Sequence, residues 1–382
     1  MSVTHMFAHV YDRIFPTLIP VFRDEFGLSL TELGVIASIP FFFQAILSIP
    51  SGYLTDKMGA RRAIALSFLI SISSAIAVTV SRGPIMLAIS IAVLGLVTTF
   101  YHPASYTYTT KITSERNRSK ALGLQSAGGP LGLALGPLSL TIIVGYLGWD
   151  WRTVYLFWIA PLVLILVAVL RMRTQREDTE KPKNEPVIEK PLTKSNGVRS
   201  LLTVGFVMFL VYSAVSSVGG QMISVFLPTY LRDVRMLSVS EASLVYGFIS
   251  MVGVFAAPIG GYFADRVGTK RWLLYTLAGA ILCLFLAYVS PSTILFVVFY
   301  FMDSFLTHSG MAAGSAIIAR LTPSAQRGMG YALSFLPGSI IGSVAPALAG
   351  ILGERLGLSI LFPIGIAAYL AALLVLKFGV KA

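Results

Sequence analysis

Gly52-Tyr-Leu-Thr-Asp56-Lys57-Met-Gly59-Ala-Arg61-Arg62 is a charged, glycine-punctuated stretch between two long apolar runs, and it occurs twice. It returns as Gly261-Tyr-Phe-Ala-Asp265-Arg266-Val-Gly268-Thr-Lys270-Arg271, displaced by 209 residues. The same offset pairs Arg232-Asp233 with Arg23-Asp24 and Leu237-Ser-Val-Ser-Glu241 with Leu28-Ser-Leu-Thr-Glu32. It also pairs Arg327 with Arg118, Pro346 with Pro137 and Gly357 with Gly148. One offset kept without a gap over more than a hundred residues is the mark of an internal duplication.

Composition says where such a chain can live. Of its 382 residues, 55% are hydrophobic and 12% charged, and the mean hydropathy is +0.79. Soluble domains carry about 25% charged residues, so water is not the main solvent of this surface. The net charge of +12 does not point to nucleic acid. The basic residues lie in short loops between apolar runs and form no continuous stripe. The single cysteine, Cys283, lies inside an apolar run and reads as a small core residue. No cleavable signal peptide is expected, because the first apolar run has no basic flank and no small-residue cleavage site.

A bilayer core of about 30 Å takes roughly 20 apolar residues per helix. Twelve runs meet this length, near 3–22, 30–53, 62–81, 84–110, 120–146, 152–171, 201–230, 241–263, 271–289, 292–319, 327–352 and 357–377. We number them α1 to α12. They are too long and too continuously apolar for barrel strands. Residues 172–200 are polar, charged and proline-bearing, and read as a solvated linker. The expected organisation is a bundle of six helices over 1–171, the linker over 172–200, and a second bundle of six over 201–382. An even number of crossings per half makes this a parallel repeat. Arg23, Arg82, Arg152, Arg232, Arg235 and Arg355 fall on one side of the membrane. The other basic residues, apart from Arg13 within α1, fall on the side of the repeated stretch. The positive-inside rule therefore places both termini, the linker and both repeated turns in the cytoplasm, with the chain in the plasma (inner) membrane.

With these features in place, the chain resembles the major facilitator superfamily over nearly its whole length. The resemblance rests on twelve helices, the six-plus-six repeat, and the signature carried between α2 and α3 and again between α8 and α9. It implies an all-α membrane fold and alternating access, with the two bundles rocking about a central site lined mainly by α1, α4, α7 and α10. It further implies that Asp56 latches the cytoplasmic side by capping the start of α11, with Asp265 acting likewise towards α5. Gly52, Gly59, Gly261 and Gly268 would permit close approach and a tight turn, and Arg61 would anchor the cytoplasmic face. A narrower likeness joins Ala8-His9-Val-Tyr-Asp12 and Tyr101-His102-Pro103 to the fosmidomycin-resistance branch, with Ala104 where that branch carries a glutamate.

Charges inside the bilayer cost at least about 2.5 kcal/mol at its centre and mark pathways by default. Here they are Asp12, Arg13, Asp303 and the four histidines His5, His9, His102 and His308. His5, His9, Asp12 and Pro16 form one helical stripe on α1. His9 and Asp12 could exchange protons, and Arg13 could hold an anionic group or pair with Asp12. Structural ion pairs would explain the same residues. On α4, His102 and Tyr106 share a face, and a neutral histidine bonded to a neighbouring Thr or Tyr is the structural alternative. On α10, Asp303 could be a second protonation site or the partner of Arg13, and His308 points elsewhere. Gln221 on α7 could bond a ligand. The glycines of α5, at 128, 132 and 136, make a flat face. That face loosely resembles an antiporter motif, and close packing explains it as well.

No phosphate-binding loop is present, and no cofactor is called for. His5 and His9 have no third ligand nearby in the chain, so no metal is assigned. The reading is a monomeric secondary transporter, not an enzyme, for a small organic and anionic or drug-like solute. Protons are its expected coupling ion, the lipid bilayer is its other partner, and it leans towards export. Uptake by proton symport stays open, as does a sensor that kept the fold. The latch makes one prediction. Asp56→Asn slows transport in proteoliposomes and leaves ligand binding intact, and unchanged turnover would contradict the latch.

Overall fold

The computed structural model describes residues 1–114, 118–172, 201–323 and 327–380. The linker expected at 172–200 lies outside these residues beyond Met172. The described chain is helical, and eleven helical stretches are long and apolar enough to cross a membrane. Among them are α2 (Leu30–Met58), α3 (Ala60–Thr79), α6 (Arg152–Arg171) and α7 (Val204–Asp233). The helices α9 (Thr269–Val289) and α10 (Thr293–Leu321) are likewise unbroken. Others cross in two pieces: α4 as Pro84–Leu94 and Leu96–Ile112, α8 as Val239–Met251 and Gly253–Val267, α11 as Arg327–Gly342 and Ala345–Leu356. The helix α5 follows Arg118–Ser126 and Gly128–Leu140 and ends in a π turn, Thr141–Tyr146, and α12 follows Leu361–Leu374 into another, Val375–Gly379. The twelfth crossing, α1, is split into Ser2–His9 and Ile14–Phe26, and the split matters below.

The duplication shows in how helices start and stop. Ser29 and Glu32 form a capping box at the start of α2, and Ser238 and Glu241 form the same box at the start of α8. Each satisfies two orphan backbone donors. The repeated stretch is more helical than its charges suggest. The helix α2 runs through Asp56 and Lys57 to Met58, and α8 runs to Val267. Only Gly59 (φ 84°) and Gly268 (φ 98°) break the path. A side chain would be strained there, so glycine alone makes a one-residue corner. Just past each corner a cation closes the last helix of its half. Arg61 Nη1 donates to the Met172 carbonyl at 3.0 Å after α6, and Lys270 Nζ donates to the Val380 carbonyl at 2.5 Å after α12. These two residues are repeat partners, and a cation suits a helix C-terminus.

Within the first half, α5 lies against α1. Side chains at Gly128, Gly132 and Gly136 would strike the carbonyls of Ser2, Met6 and Val10. Three glycines four apart thus face three carbonyls four apart, and the two backbones close with no side chain between them. The glycine face of α5 is a packing surface for α1.

The halves meet away from the Gly59/Gly268 end. There α2 packs on α11 and α5 on α8. Gly34 abuts the Pro346 carbonyl, Gly350 the Leu30 carbonyl, and Gly145 the Ser240 side chain. Glu354 of α11 accepts from the Thr31 amide at 3.1 Å and from its hydroxyl, so it caps α2 from the other half. Two ion pairs complete this face. Arg23 holds Asp233 through both oxygens, at 2.5 and 3.1 Å, and Arg232 reaches Asp24 at 2.5 Å. Since Arg23 and Arg232 are repeat partners, as are Asp24 and Asp233, the two bonds exchange under the pseudo-two-fold axis. At the opposite end, Asp56 and Asp265 are exposed and bond to no described residue.

Exposed pairs such as these contribute about 1 kcal/mol or less each. Their importance is that they join the two halves across this end. Asp233→Arg faces two arginines and should lengthen the distance between spin labels at positions 149 and 236, on opposite halves. Adding Arg23→Asp should return it towards the parental value. Identical distributions in all three proteins would show that the pairs do not hold the end closed.

Candidate functional site

The continuous α1 expected over 3–22 is interrupted at Val10–Arg13, and the proline on its histidine stripe explains why. Pro16 has no amide hydrogen to give to the Asp12 carbonyl, and its ring crowds that turn. The chain tightens there, with Asp12 N bonded to His9 O at 3.2 Å and Ile14 N to Tyr11 O at 3.1 Å. The Thr17 hydroxyl takes the Arg13 carbonyl at 2.5 Å. Asp12 and Arg13 are thereby presented at a break in mid-span.

Before the break, the close α1–α5 contact seats the histidines. The His5 ring lies over Gly129, and His9 Cβ over Gly132. His5 Nδ1 is 2.8 Å from the Gln125 carbonyl, and His9 Nδ1 is 2.7 Å from Asp12 Oδ2. The two Nε2 atoms face one another at 3.1 Å. Along the chain these two histidines have no third companion, but the fold supplies one. The helix α4 brings His102 to ring-centre distances of 5.3 Å from His5 and 5.2 Å from His9. No hydrogen bond joins the His102 ring to a described residue, so the bond to a Thr or Tyr that the structural alternative calls for is not made, and its Nδ1 is buried without a partner. Tyr106 stacks on its ring at 6.2 Å. Below, Gln125 donates to Ser105 at 2.9 Å and accepts from Thr109 at 2.5 Å, which fixes the segment carrying the carbonyl that holds His5.

Arg13 takes neither of its two expected partners. Asp12 is engaged by His9, and Asp303 makes no ion pair with a described residue. The guanidinium instead crosses to the second half. There it donates to the hydroxyls of Ser224 on α7 and Tyr246 on α8. The Tyr246 hydroxyl in turn meets the Ser224 carbonyl at 2.9 Å. Neither residue was legible as a partner: their repeat counterparts, Phe15 and Ala37, are apolar.

A cavity of about 310 Å³ opens against this break, with His9, Asp12, Arg13, His102 and Gln221 in its wall beside Gln44. Five of the residues singled out from sequence thus share one space. Tyr106, Asp303 and His308 lie outside its wall. His308 bonds the Ser304 carbonyl through Nδ1 at 2.8 Å and lies against Gly253. Asp303 is 5% exposed, and its Oδ1 has no partner. The cavity wall can take a small solute bearing negative charge. Arg13 offers a fixed cation, the glutamine amides offer donors, and the one carboxylate, Asp12, is already bonded.

The sequence matches the Major Facilitator Superfamily over residues 1–287 and 214–381. An MFS-type efflux pump of Mycolicibacterium smegmatis is 27% identical, over 90% of this chain and 81% of its own length. The fosmidomycin resistance protein of Escherichia coli is 24% identical over 95% and 88%, and the nitrite extrusion protein of Bacillus subtilis 24% over 87% and 80%. Among solved structures, a bacterial homologue of the human lysosomal transporter Spinster, in an inward-facing and occupied conformation, superposes with a TM-score of 0.79. It is 16% identical, and the alignment covers 99% of this chain and 93% of that one. The family match spans nearly the whole chain, and the relatives are named as carriers of solutes: the chain belongs to the major facilitator superfamily, and it is a transporter, not an enzyme.

Proposed function

We propose that this protein exports a small organic anion across the plasma membrane by alternating access, as a proton-coupled monomer with both termini in the cytoplasm. The observation that carries the reading is the position of Arg13. It sits on α1 of the first half, in the cavity wall, and donates to Ser224 and Tyr246 of the second half. A solute anion entering the cavity competes for the same guanidinium. Binding would therefore exchange a bond between the halves for a bond to solute, which is the differential interaction a conformational change requires. Charge-assisted bonds of this kind are worth about 1.5–3 kcal/mol.

Export is supported by relatives named for efflux and extrusion. The anionic nature of the solute is supported by the relative named for nitrite. The orientation follows the basic loops. In this orientation the structure is joined at its outer face by the Arg–Asp pairs, with the Asp56 and Asp265 latches undone on the inner face. The coupling proton is placed on Asp303. An unpaired carboxylate inside the membrane is costly, and proton uptake and release at Asp303 would remove and restore that cost as the second half changes its packing.

Reconstitution tests this. A thermal-shift panel of nitrate, carboxylates and phosphonates selects the anion, and its flux is then followed in proteoliposomes with and without an imposed pH gradient. Arg13→Gln should weaken anion binding roughly tenfold or more, from the loss of a charge-assisted bond. Asp303→Asn should leave binding intact and make flux indifferent to the gradient. Wild-type flux that ignores the gradient would contradict proton coupling, and unchanged binding in Arg13→Gln would contradict the anion site.

A further inference from the structure

We propose that His5, His9 and His102 bind a divalent transition-metal ion of the zinc class at the wall of the cavity. The inference begins with proton positions dictated by partners. A carbonyl oxygen and a carboxylate oxygen only accept, so His5 Nδ1, facing the Gln125 carbonyl, and His9 Nδ1, facing Asp12, are donors. In the neutral rings both Nε2 atoms therefore present lone pairs. They present them to each other, 3.1 Å apart. Two lone pairs at that distance repel unless a cation lies between or beside them.

The third ring favours a metal as that cation. One potential ligand atom from each of the three histidines lies within 4.8 Å of the other two. Two nitrogens on a tetrahedral zinc, with bonds of 2.0–2.1 Å, stand about 3.4 Å apart. The His5–His9 separation is already close to this. The longest separation closes by turning the His102 ring, which no hydrogen bond to a described residue restrains. Two ligands are thus held by hydrogen bonds, and the third ring is held by ring contacts such as the stacking on Tyr106. The outer partners are also of the right kind. Ligating histidines characteristically give their other N–H to a carboxylate or a backbone carbonyl, and His9 and His5 do one each. Three imidazoles suit zinc, cobalt, nickel or copper and do not suit magnesium or calcium. His9 and His102 line the cavity, so the ion has a route in, and a fourth position is left for water or an anionic group of the solute. The site stands apart from the transport reading, because binding needs neither a gradient nor flux.

The test uses purified full-length protein carrying an affinity tag without histidines. On titration with cobalt(II), the wild type should develop the strong visible absorption of low-coordinate cobalt, saturating at one ion per chain. Zinc should displace it, and magnesium should not. X-ray absorption of the zinc-loaded wild type should report three imidazole ligands. The cobalt band should vanish in His9→Ala and in His102→Ala and persist in His308→Ala. Asp12→Asn should weaken zinc binding about tenfold, as loss of an outer partner does. Absence of the band in the wild type would overturn the site and leave a shared proton between His5 and His9. Undiminished binding in His102→Ala would overturn it as well, since the ion would then lie elsewhere.

Discussion

The cavity depends on how closely α5 lies against α1. Gly128, Gly132 and Gly136 face the carbonyls of Ser2, Met6 and Val10 with nothing in between. That contact needs a surface without side chains, because any Cβ on it would enter the facing backbone. In a bilayer such van der Waals closeness does the work that water does for soluble cores. One consequence is positional. The His5 and His9 rings are seated on the same glycine face, and the α5 backbone supplies the carbonyl that orients His5. A side chain added there would alter the histidine stripe before it altered the fold, since overpacking typically costs about 1–3 kcal/mol.

A second constraint is symmetry between the halves, and where it fails. Caps, corners and closing ion pairs obey the repeat: Ser29/Glu32 with Ser238/Glu241, Gly59 with Gly268, and Arg23–Asp233 with Arg232–Asp24. Arg61 and Lys270 even share a task, each closing the last helix of its own half. The polar residues in the membrane do not obey it. Arg13 corresponds to Met222, Asp303 to Leu94, and His102 to Met311. The frame is common to the halves, and the polar residues of the proposed site are ones that the other half lacks. This division follows from what each part must do. Closure at an interface between repeats is satisfied by equivalent contacts, whereas a single solute site needs a particular charge in a particular place.

The sequence therefore revealed the frame more fully than the site. Helix count, repeat and the corners at Gly59 and Gly268 were legible because each is local: a run of apolar residues, an offset, a residue that tolerates positive φ. Gly52 and Gly261, also read as turn glycines, instead lie inside α2 and α8 and allow no close approach. The extent of α2 was underestimated, because Asp56 and Lys57 are polar yet continue a helix that has left the apolar region. The break in α1 was half-visible in Pro16, whose effect reaches back to the carbonyl four residues earlier. Which residues Arg13 would meet was not legible, because Ser224 and Tyr246 reach it only through packing of α7 and α8 on α1. The same holds for His102. Nothing in its spacing links it to His5 and His9, and only the contact of α4 with α1 brings the three together.

The account turns on Arg13 as the point where solute chemistry acts on the relation between the halves. Its most direct test is a distance measured across the end that carries the repeated turns. Spin labels at Tyr53 and Tyr262, both exposed and on opposite halves, would be read with and without the anion that most raises the melting temperature. The account predicts that saturating anion redistributes this distance in the wild type and leaves it unmoved in Arg13→Gln. An equal redistribution in both proteins, or none in the wild type, would contradict it.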